Sequence, residues 1–258
     1  MEYDFIIDTK NDKRYRYVAE SLRELGYDVF EYGTFKGAGG GAVYVLPPSV
    51  GLSPDAAAEL ADGAKLFAFG QSAETEAVLQ RKGIELINVF AEEKFACKNA
   101  MITAEGALML VAENTERAFF DMRVLIIGFG RVGKALAKLF KAAACQTDVL
   151  TFDRKECAAA ALLSDRQYGS FEGVEFGGYA AVINTVPARL VNRHVVAGFR
   201  GDAFLLELAS EPGGFDRDAV KARSMSFLRA PGLPAKVAPV TAAKILAEEI
   251  TARLGISY

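Results

Sequence analysis

Short apolar runs alternate with amphipathic stretches along almost the whole chain, a rhythm that predicts strands separated by helices. "YDFIID" (3–8) and "YDVFEYG" (27–33) read as strands flanking a helix over 13–25, whose Val18, Leu22 and Leu25 share one face. "AVYVLP" (42–47), "KLFAFG" (65–70) and "IELINV" (84–89) supply three more strands. Between them Ser53-Pro54 starts a short helix ending near Gly63, since serine caps well and proline suits a first turn. Another helix runs through Arg81 and closes at Gly83. The rhythm restarts at "RVLIIG" (123–128), with helix 132–144, strand "DVLTFD" (148–153) and helix 155–164. Strand "AAVINTV" (180–186), helix 192–199, strand "AFLLELA" (203–209), helix 216–223 and strand "SFL" (226–228) continue it.

Strands separated by helices of this length imply parallel pairing with right-handed crossovers. A long helical pattern, roughly Glu92 to Phe120, lies between the halves, with Ala107, Leu110, Val111 and Ala118 as its apolar positions. A last helix is expected from about Thr241 to Leu254, packed back on the first domain. The fold class expected is α/β, two doubly wound parallel-sheet domains joined by long helices: a flavodoxin-like N-terminal domain and a Rossmann domain. The expected domains are 1–98 plus 241–258 on the substrate side, and 99–240 for the Rossmann part with the linking helix. "GAGGGA" (37–42) reads as a flexible loop, because no helix follows it to make a phosphate cradle.

Composition narrows the classes. Of the 258 residues 51% are hydrophobic and 24% charged, with a net charge of −3, which offers no electrostatic case for nucleic acid or an anionic membrane. "MEYDFIIDTKNDKR" has acids where a secretory signal needs a basic start, and no apolar run is read as approaching membrane-spanning length. Cys97, Cys145 and Cys157 are too few and scattered for a disulfide framework or a zinc site, and no metal site is expected. The chain reads as cytoplasmic. His194 is its one histidine, so the commonest general base is missing from most of the molecule.

"VLIIGFGRVGKALAKLF" places Gly128-x-Gly130-x-x-Gly133 after an apolar strand and at the start of an amphipathic helix. Alone that spacing is weak. In strand–turn–helix context Gly128 permits the tight turn, Gly130 the close approach of a pyrophosphate, and Gly133 the packing of helix on strand. Phe129, Arg131 and Val132 complete the loop, and Arg131 is either a pyrophosphate contact or an exposed arginine at a helix start. The fingerprint also expects an acid about 20 residues on, and Asp153 closes "DVLTFD" there. Asp153 favours NAD through the ribose 2′-hydroxyl, whereas Arg154 and Lys155 favour the 2′-phosphate of NADP. Both cofactors stay open.

Ligands of a doubly wound sheet bind outside the carboxyl ends of the strands. That rule gathers "NTVP" (Asn184, Thr185, Val186, Pro187), "ELASEPGG" (207–214, with Leu208, Ala209 and Ser210) and "RAPGLPAK" (229–236, with Gly232 and Leu233) on one rim with the glycine loop. Thr185 and Pro187 are expected near the nicotinamide ribose. Pro231, Pro234 and Pro239 stiffen the longer stretch "RAPGLPAKVAPVTAAKIL" (229–246) that begins with the last of these segments, and it can be neither a central strand nor a helix interior.

With these segments on the page, the chain resembles a family from spore-forming bacteria, the NAD(P)-binding A-subunits of dipicolinate synthase. "GFGRVG", "INTVP", "ELASEPGG", "APGLPAKVAPVTAAKIL" and "NAMITAEGALML" (99–110) carry the resemblance, with "NDKRY" (11–15), "LPPS" (46–49) and "FGQS" (69–72) adding to it near the N-terminus. The resemblance implies oxidation of dihydrodipicolinate to dipicolinate with hydride transfer to NADP or NAD, during sporulation and in the mother cell. It also implies a flavoprotein-like partner, the B-subunit of dipicolinate synthase, while a homo-oligomer stays open. The substrate is a small cyclic dicarboxylate, so cations and N–H groups are expected around it. Five positions depart from the family pattern: Glu207 for Asp, Glu211 for Arg, Ala235 for Gly, Ile102 for Pro, and Val240 for a basic residue. The first domain is also shorter around 49–64.

Candidate residues follow from where these segments fall. Glu105 and Thr103 lie in the linking helix, where Glu105 is either the general base or a surface carboxylate. Asn99 is either a hydrogen-bond donor to substrate or a polar residue at a helix irregularity. Asp12 and Arg14 follow the first strand, with Arg14 either a substrate-carboxylate ligand or part of a capping turn. Ser49, Gly70 and Ser72 are further carboxylate contacts at strand ends. Lys236 is expected to face the substrate and Thr241 to cap the last helix, while His194 reads as structural. The competing functions are another two-domain NAD(P) dehydrogenase, of shikimate or hydroxyacid type, and a nucleotide-binding regulatory subunit without chemistry. The absence of a well-placed histidine argues against the hydroxyacid type.

Overall fold

A computed structural model describes residues 3–10, 12–32 and 41–255, in two compact units, Met1–Asn99 with Pro234–Tyr258 and Ala100–Leu233. Asn11 and most of the "GAGGGA" stretch, 37–40, lie outside the described residues, as does Gly33. Gly41 and Ala42 of that stretch are strand rather than loop.

The first unit alternates strand and helix in chain order: β1 (Tyr3–Asp8), α1 (Arg14–Glu24), β2 (Val29–Tyr32), β3 (Gly41–Val45), α2 (Pro54–Ala58), β4 (Lys65–Phe67), α3 (Ala73–Arg81) and β5 (Glu85–Ile87). All pairs are parallel, in the order β2-β1-β3-β4-β5, the flavodoxin-like arrangement. Successive residues of β1 feed opposite faces, as the pleat requires. Phe5 and Ile7 join Val18 and Leu22 on one side, while Ile6 packs with Tyr44, Leu60, Leu66 and Leu79 on the other. Ser53 and Ser72 cap α2 and α3 by accepting from Ala56 N and Thr75 N.

A 22-residue helix, α4 (Glu93–Asn114), runs from the first unit's sequence into the second's. It stops six residues before the expected end. Asn114 Nδ2 and Thr115 Oγ1 turn back onto the carbonyls of Leu110 and Val111, taking acceptors that a further turn would have used. Ala107 and Val111 are buried as expected, but Ala118 lies beyond the helix and is exposed. By length and composition α4 is apolar enough to cross a membrane, which corrects the expectation that no run approaches that length. Core helices of soluble α/β proteins meet the same criterion.

The second unit contains β6 (Arg123–Ile127), α5 (Arg131–Ala142), β7 (Gln146–Leu150), α6 (Arg154–Leu163), β8 (Arg166–Tyr168), β9 (Ala181–Asn184), α7 (Arg193–Gly198), β10 (Phe204–Glu207), α8 (Arg217–Ala222) and β11 (Phe227–Arg229). Its all-parallel order, β11-β10-β9-β6-β7-β8, is the Rossmann order, with the reversal of direction between β6 and β9. β8 is an addition to the strands expected from the sequence: three residues at a sheet edge, none of them buried, leave no periodic signal.

The chain ends with α9 (Leu233–Val237) and α10 (Pro239–Arg253). Pro234 and Pro239 therefore sit in the first turns of two helices, where a missing N–H costs nothing. The last helix begins at Pro239, so Thr241 lies within its first turn and is not its cap. Ala243, Leu246 and Ile250 join the α1 side of the first unit's core.

Candidate functional site

β6 is buried along Val124–Ile127 and delivers the chain at Gly128 with φ +97°, a left-handed conformation that glycine adopts without strain. A Cβ there would stand 2.3 Å from Thr185 Oγ1 and 2.6 Å from Val186 Cγ2, at the end of β9. A Cβ on Gly133 would stand 2.1 Å from the Gly128 carbonyl oxygen, so the close seating of α5 on the loop requires glycine. Gly130 differs: nothing lies within 4 Å of its Cβ position. Two glycines are thus demanded by protein packing, and the third stands against open space at the start of α5. That helix has no acid in its first turn and no side chain capping it, so its leading N–H groups suit an anion.

Around this opening lies a cavity of about 490 Å³ lined by Gly128, Phe129, Gly130, Arg131, Val132, Thr151, Phe152, Asp153, Glu156, Thr185, Val186 and Pro187. It stands at the carboxyl ends of β6, β7 and β9, beside the reversal point, where ligands of such sheets bind. Thr185 Oγ1 donates to the Ile127 carbonyl at 3.0 Å and fastens β9's end to β6's. Asp153 caps α6, its Oδ1 accepting from Lys155 N at 2.9 Å. Glu156 pairs with Lys134 of α5 at 2.8 Å. The Phe152 ring is 47% exposed and meets Phe171 edge-on at 5.5 Å.

Other residues expected on this rim do not line the cavity. Gly133 is buried under the loop, and Arg154 is exposed on the first turn of α6. Asn184 is fully buried: its Nδ2 donates to the Val186 carbonyl (2.9 Å) and to Glu207 Oε1 (2.7 Å), and its Oδ1 accepts from Val186 N. Glu207, only 1% exposed, also accepts from Ala209 N, Gly214 N and Phe215 N. One buried carboxylate thus binds the ends of β9 and β10 to the 208–215 loop. Leu208 N bonds the Asn184 carbonyl, and the Ser210 carbonyl accepts from Gly213 N. Gly232, at φ +67°, is exposed, and Leu233 is buried at the start of α9.

Glu211, standing where the family pattern has an arginine, is paired with Arg229 at 2.7 Å and Arg217 at 3.2 Å. Two cations therefore neutralise this departure. The Arg229 Nε is buried without a partner.

The residues expected to meet substrate are distributed as follows. Arg14 is held by Asp12, with Nη2 at 2.6 Å from Oδ2 and the Arg14 N–H on Oδ1 at 2.9 Å, a capping turn of nearly buried charges. Ser72 is engaged by Thr75 through both the backbone N–H and the hydroxyl. Ser49 and Gly70 are exposed residues outside the helices and strands of the first unit, and Asn99 is half-buried on α4. Thr103 is half-buried and Glu105 exposed, further along the same helix; Lys236 is exposed on α9. His194 is exposed at the start of α7, its N–H on Asn192 Oδ1. Among the described residues no group of histidines, cysteines and acids has metal-binding geometry.

Thr151, Phe152 and Glu156 also line the cavity, although no motif singles them out. Glu156 is detectable in principle, three residues after Asp153 and so on the same face of α6. Glu207 stands out in the sequence only as a departure from the family pattern, not as a hydrogen-bond hub.

No family model matches the chain. The A-subunit of dipicolinate synthase from Bacillus subtilis (strain 168) is 30% identical over 171 residues, covering 65% of this chain and 57% of that protein, so the match spans less than two thirds of the relative's length. The crystal structure of the corresponding A-subunit from Bacillus halodurans superposes with a TM-score of 0.86 at 22% identity, covering 98% of this chain and 97% of the other. A D-lactate dehydrogenase from Treponema pallidum superposes at 0.69 with 16% identity, covering 100% and 98%. These findings bear out the resemblance drawn from the motifs and the two-unit α/β fold.

Proposed function

We propose that the chain is an NAD(P)-dependent oxidoreductase, the nucleotide-binding subunit of a dipicolinate synthase, oxidising dihydrodipicolinate to dipicolinate. The observation that carries the nucleotide site is the contrast among the three glycines: Gly128 and Gly133 are sterically required, while Gly130 opens a cavity at a helix N-terminus on the reversal point of a Rossmann sheet. The 30% identity to a protein of that name, together with "LASEPGG" and "APGLP", supports the substrate assignment.

A bound nicotinamide supplies the hydride acceptor. The N–H groups opening α5 hold the pyrophosphate, and Asp153 takes the adenosine ribose. Asn184 and Glu207 are positioning residues that shape the Thr185–Pro187 turn beside the nicotinamide ribose. Dihydrodipicolinate loses a hydride from one ring carbon and a proton from another, and the product ring is aromatic, so positioning and a modest base suffice. Glu105, with Thr103 nearby on the same helix, is assigned as the proton acceptor and Lys236 as the cation for one substrate carboxylate. Asp12, Arg14, Ser49, Gly70, Ser72 and Asn99 are assigned to the substrate side. The chain acts in the cytoplasm of a sporulating cell together with a flavoprotein-like partner.

The experiment that checks this follows nicotinamide reduction and dipicolinate formation from freshly prepared dihydrodipicolinate, with and without that partner. Equal yields of both products are expected. Nucleotide binding without turnover in either mixture would instead favour a regulatory role.

A further inference from the structure

We propose that a second cavity of the Rossmann unit binds a small dicarboxylate, with Arg189 and Arg193 each taking one carboxylate; this stands on the cavity's own residues and not on the reading of the nucleotide cavity. It holds about 520 Å³ between the segment that follows β9 and the segment that follows β10. Its floor is fixed. Val191 N donates to the Gly214 carbonyl and Asp216 N to the Val191 carbonyl, both at 2.9 Å, and the Val191 and Phe215 side chains are buried there. Its charged lining residues are Arg189, Arg193, Glu211, Asp216, Arg217 and Asp218. Formal charge cancels among them, so the ligand is decided by which groups already have partners. Glu211 holds Arg217 at 3.2 Å and Arg229 at 2.7 Å. Asp216 caps α8, its Oδ1 accepting from Ala219 N at 3.0 Å. Asp218 stands in the first turn of α8, where the leading N–H groups of a helix favour a carboxylate. Arg189 and Arg193, by contrast, have no ion pair among the described residues, and both are exposed. A guanidinium is a permanently charged planar fork whose paired N–H donors match a carboxylate. Both free forks belong to the segment 189–193, at the edge of a cavity with an apolar floor. That arrangement matches a compact carbon skeleton carrying two carboxylates.

Calorimetric titration of the full chain with dipicolinate, with glutarate and with inorganic phosphate reads this directly. Both dicarboxylates are expected to bind, and phosphate about tenfold more weakly because it cannot offer a separate carboxylate to each fork. Arg189→Gln and Arg193→Gln should each weaken dicarboxylate binding about tenfold by removing one charge-assisted pair. Unchanged melting temperatures show that both variants fold. Hydrogen–deuterium exchange with dipicolinate should protect peptides spanning 188–194 and 211–218. No binding of either dicarboxylate, binding that neither substitution weakens, or protection confined to other peptides overturns the site. Phosphate bound as tightly as the dicarboxylates overturns the ligand class.

Discussion

Asn184 Nδ2 stands 2.7 Å from Glu207 Oε1, joining the last residues of two adjacent parallel strands inside the core of the Rossmann unit. Through it, the loop that follows β10 and the turn that lines the cavity share one support. Glu207→Gln puts an amide where Asn184 and three backbone N–H groups all donate, so at least one donor loses its acceptor. The expected cost is about 1–3 kcal/mol in urea unfolding, with weaker nucleotide binding because the 185–187 turn loosens. Unchanged stability would mean that the carboxylate is not a latch.

The three glycines should separate by experiment. Gly133→Ala forces a methyl against the Gly128 carbonyl and should destabilise by about 1–3 kcal/mol. Gly130→Ala meets no protein atom and keeps an allowed φ of −69°, so the fold should be nearly unaffected. On the proposed reading its methyl would stand in the approach of the pyrophosphate, and nucleotide affinity should fall about tenfold, or about 1.4 kcal/mol. Thermal melts and NADH titration of the same two proteins distinguish the outcomes.

Glu211 holds Arg229 and Arg217 on the β10–β11 side of the same unit. The pairs are partly exposed, so Glu211→Ala should change stability by less than about 1 kcal/mol. If substrate carboxylates reach this rim, freeing two guanidiniums should lower KM for the dianion severalfold with kcat little changed. Steady-state kinetics with the partner present reads this, and an unchanged KM would separate the rim from the substrate.

Asp165 carries a pH dependence of its own. Burial pushes its carboxyl up, but hydrogen bonds from Lys141 Nζ and Thr147 N, both at 2.7 Å, outweigh that and hold it below the usual carboxylate value. A depressed folded-state pKa means stabilisation present above the unfolded value, about 3.9, and lost as pH falls through the folded value. Asp165→Asn should therefore be less stable than wild type at pH 7, and the gap should close on acidification below about pH 4. Paired urea titrations across that range check it; a gap independent of pH would remove the charge from the explanation.

How much of this is legible in the sequence depends on how local each signal is. The glycine loop, Asp153 and the Thr185–Pro187 turn follow from periodic strands and fixed spacing, and they meet in one cavity. Parallel pairing follows from the strand–helix alternation, whereas that alternation alone does not distinguish the order β2-β1-β3-β4-β5 of the first unit from the Rossmann order of the second. The end of α4 is not legible: Asn114 and Thr115 stop the helix through side-chain bonds to carbonyls, with no proline or glycine to mark it. Nor is the part played by Glu207, whose donors come from positions 184, 209, 214 and 215 and converge only after two strands have paired. Thr151 and Phe152 carry no motif signal of their own, and only the cavity shows them beside Asp153.

The central claim, that the 128–133 loop and the ends of β7 and β9 hold a nicotinamide dinucleotide, is tested most directly by hydrogen–deuterium exchange with and without NADH. Protection is expected in peptides spanning 128–134, 151–156 and 184–187, and it should be lost in Gly130→Ala at the same nucleotide concentration. Saturating NADH that leaves these peptides unprotected, or that protects a different part of the chain, would contradict it.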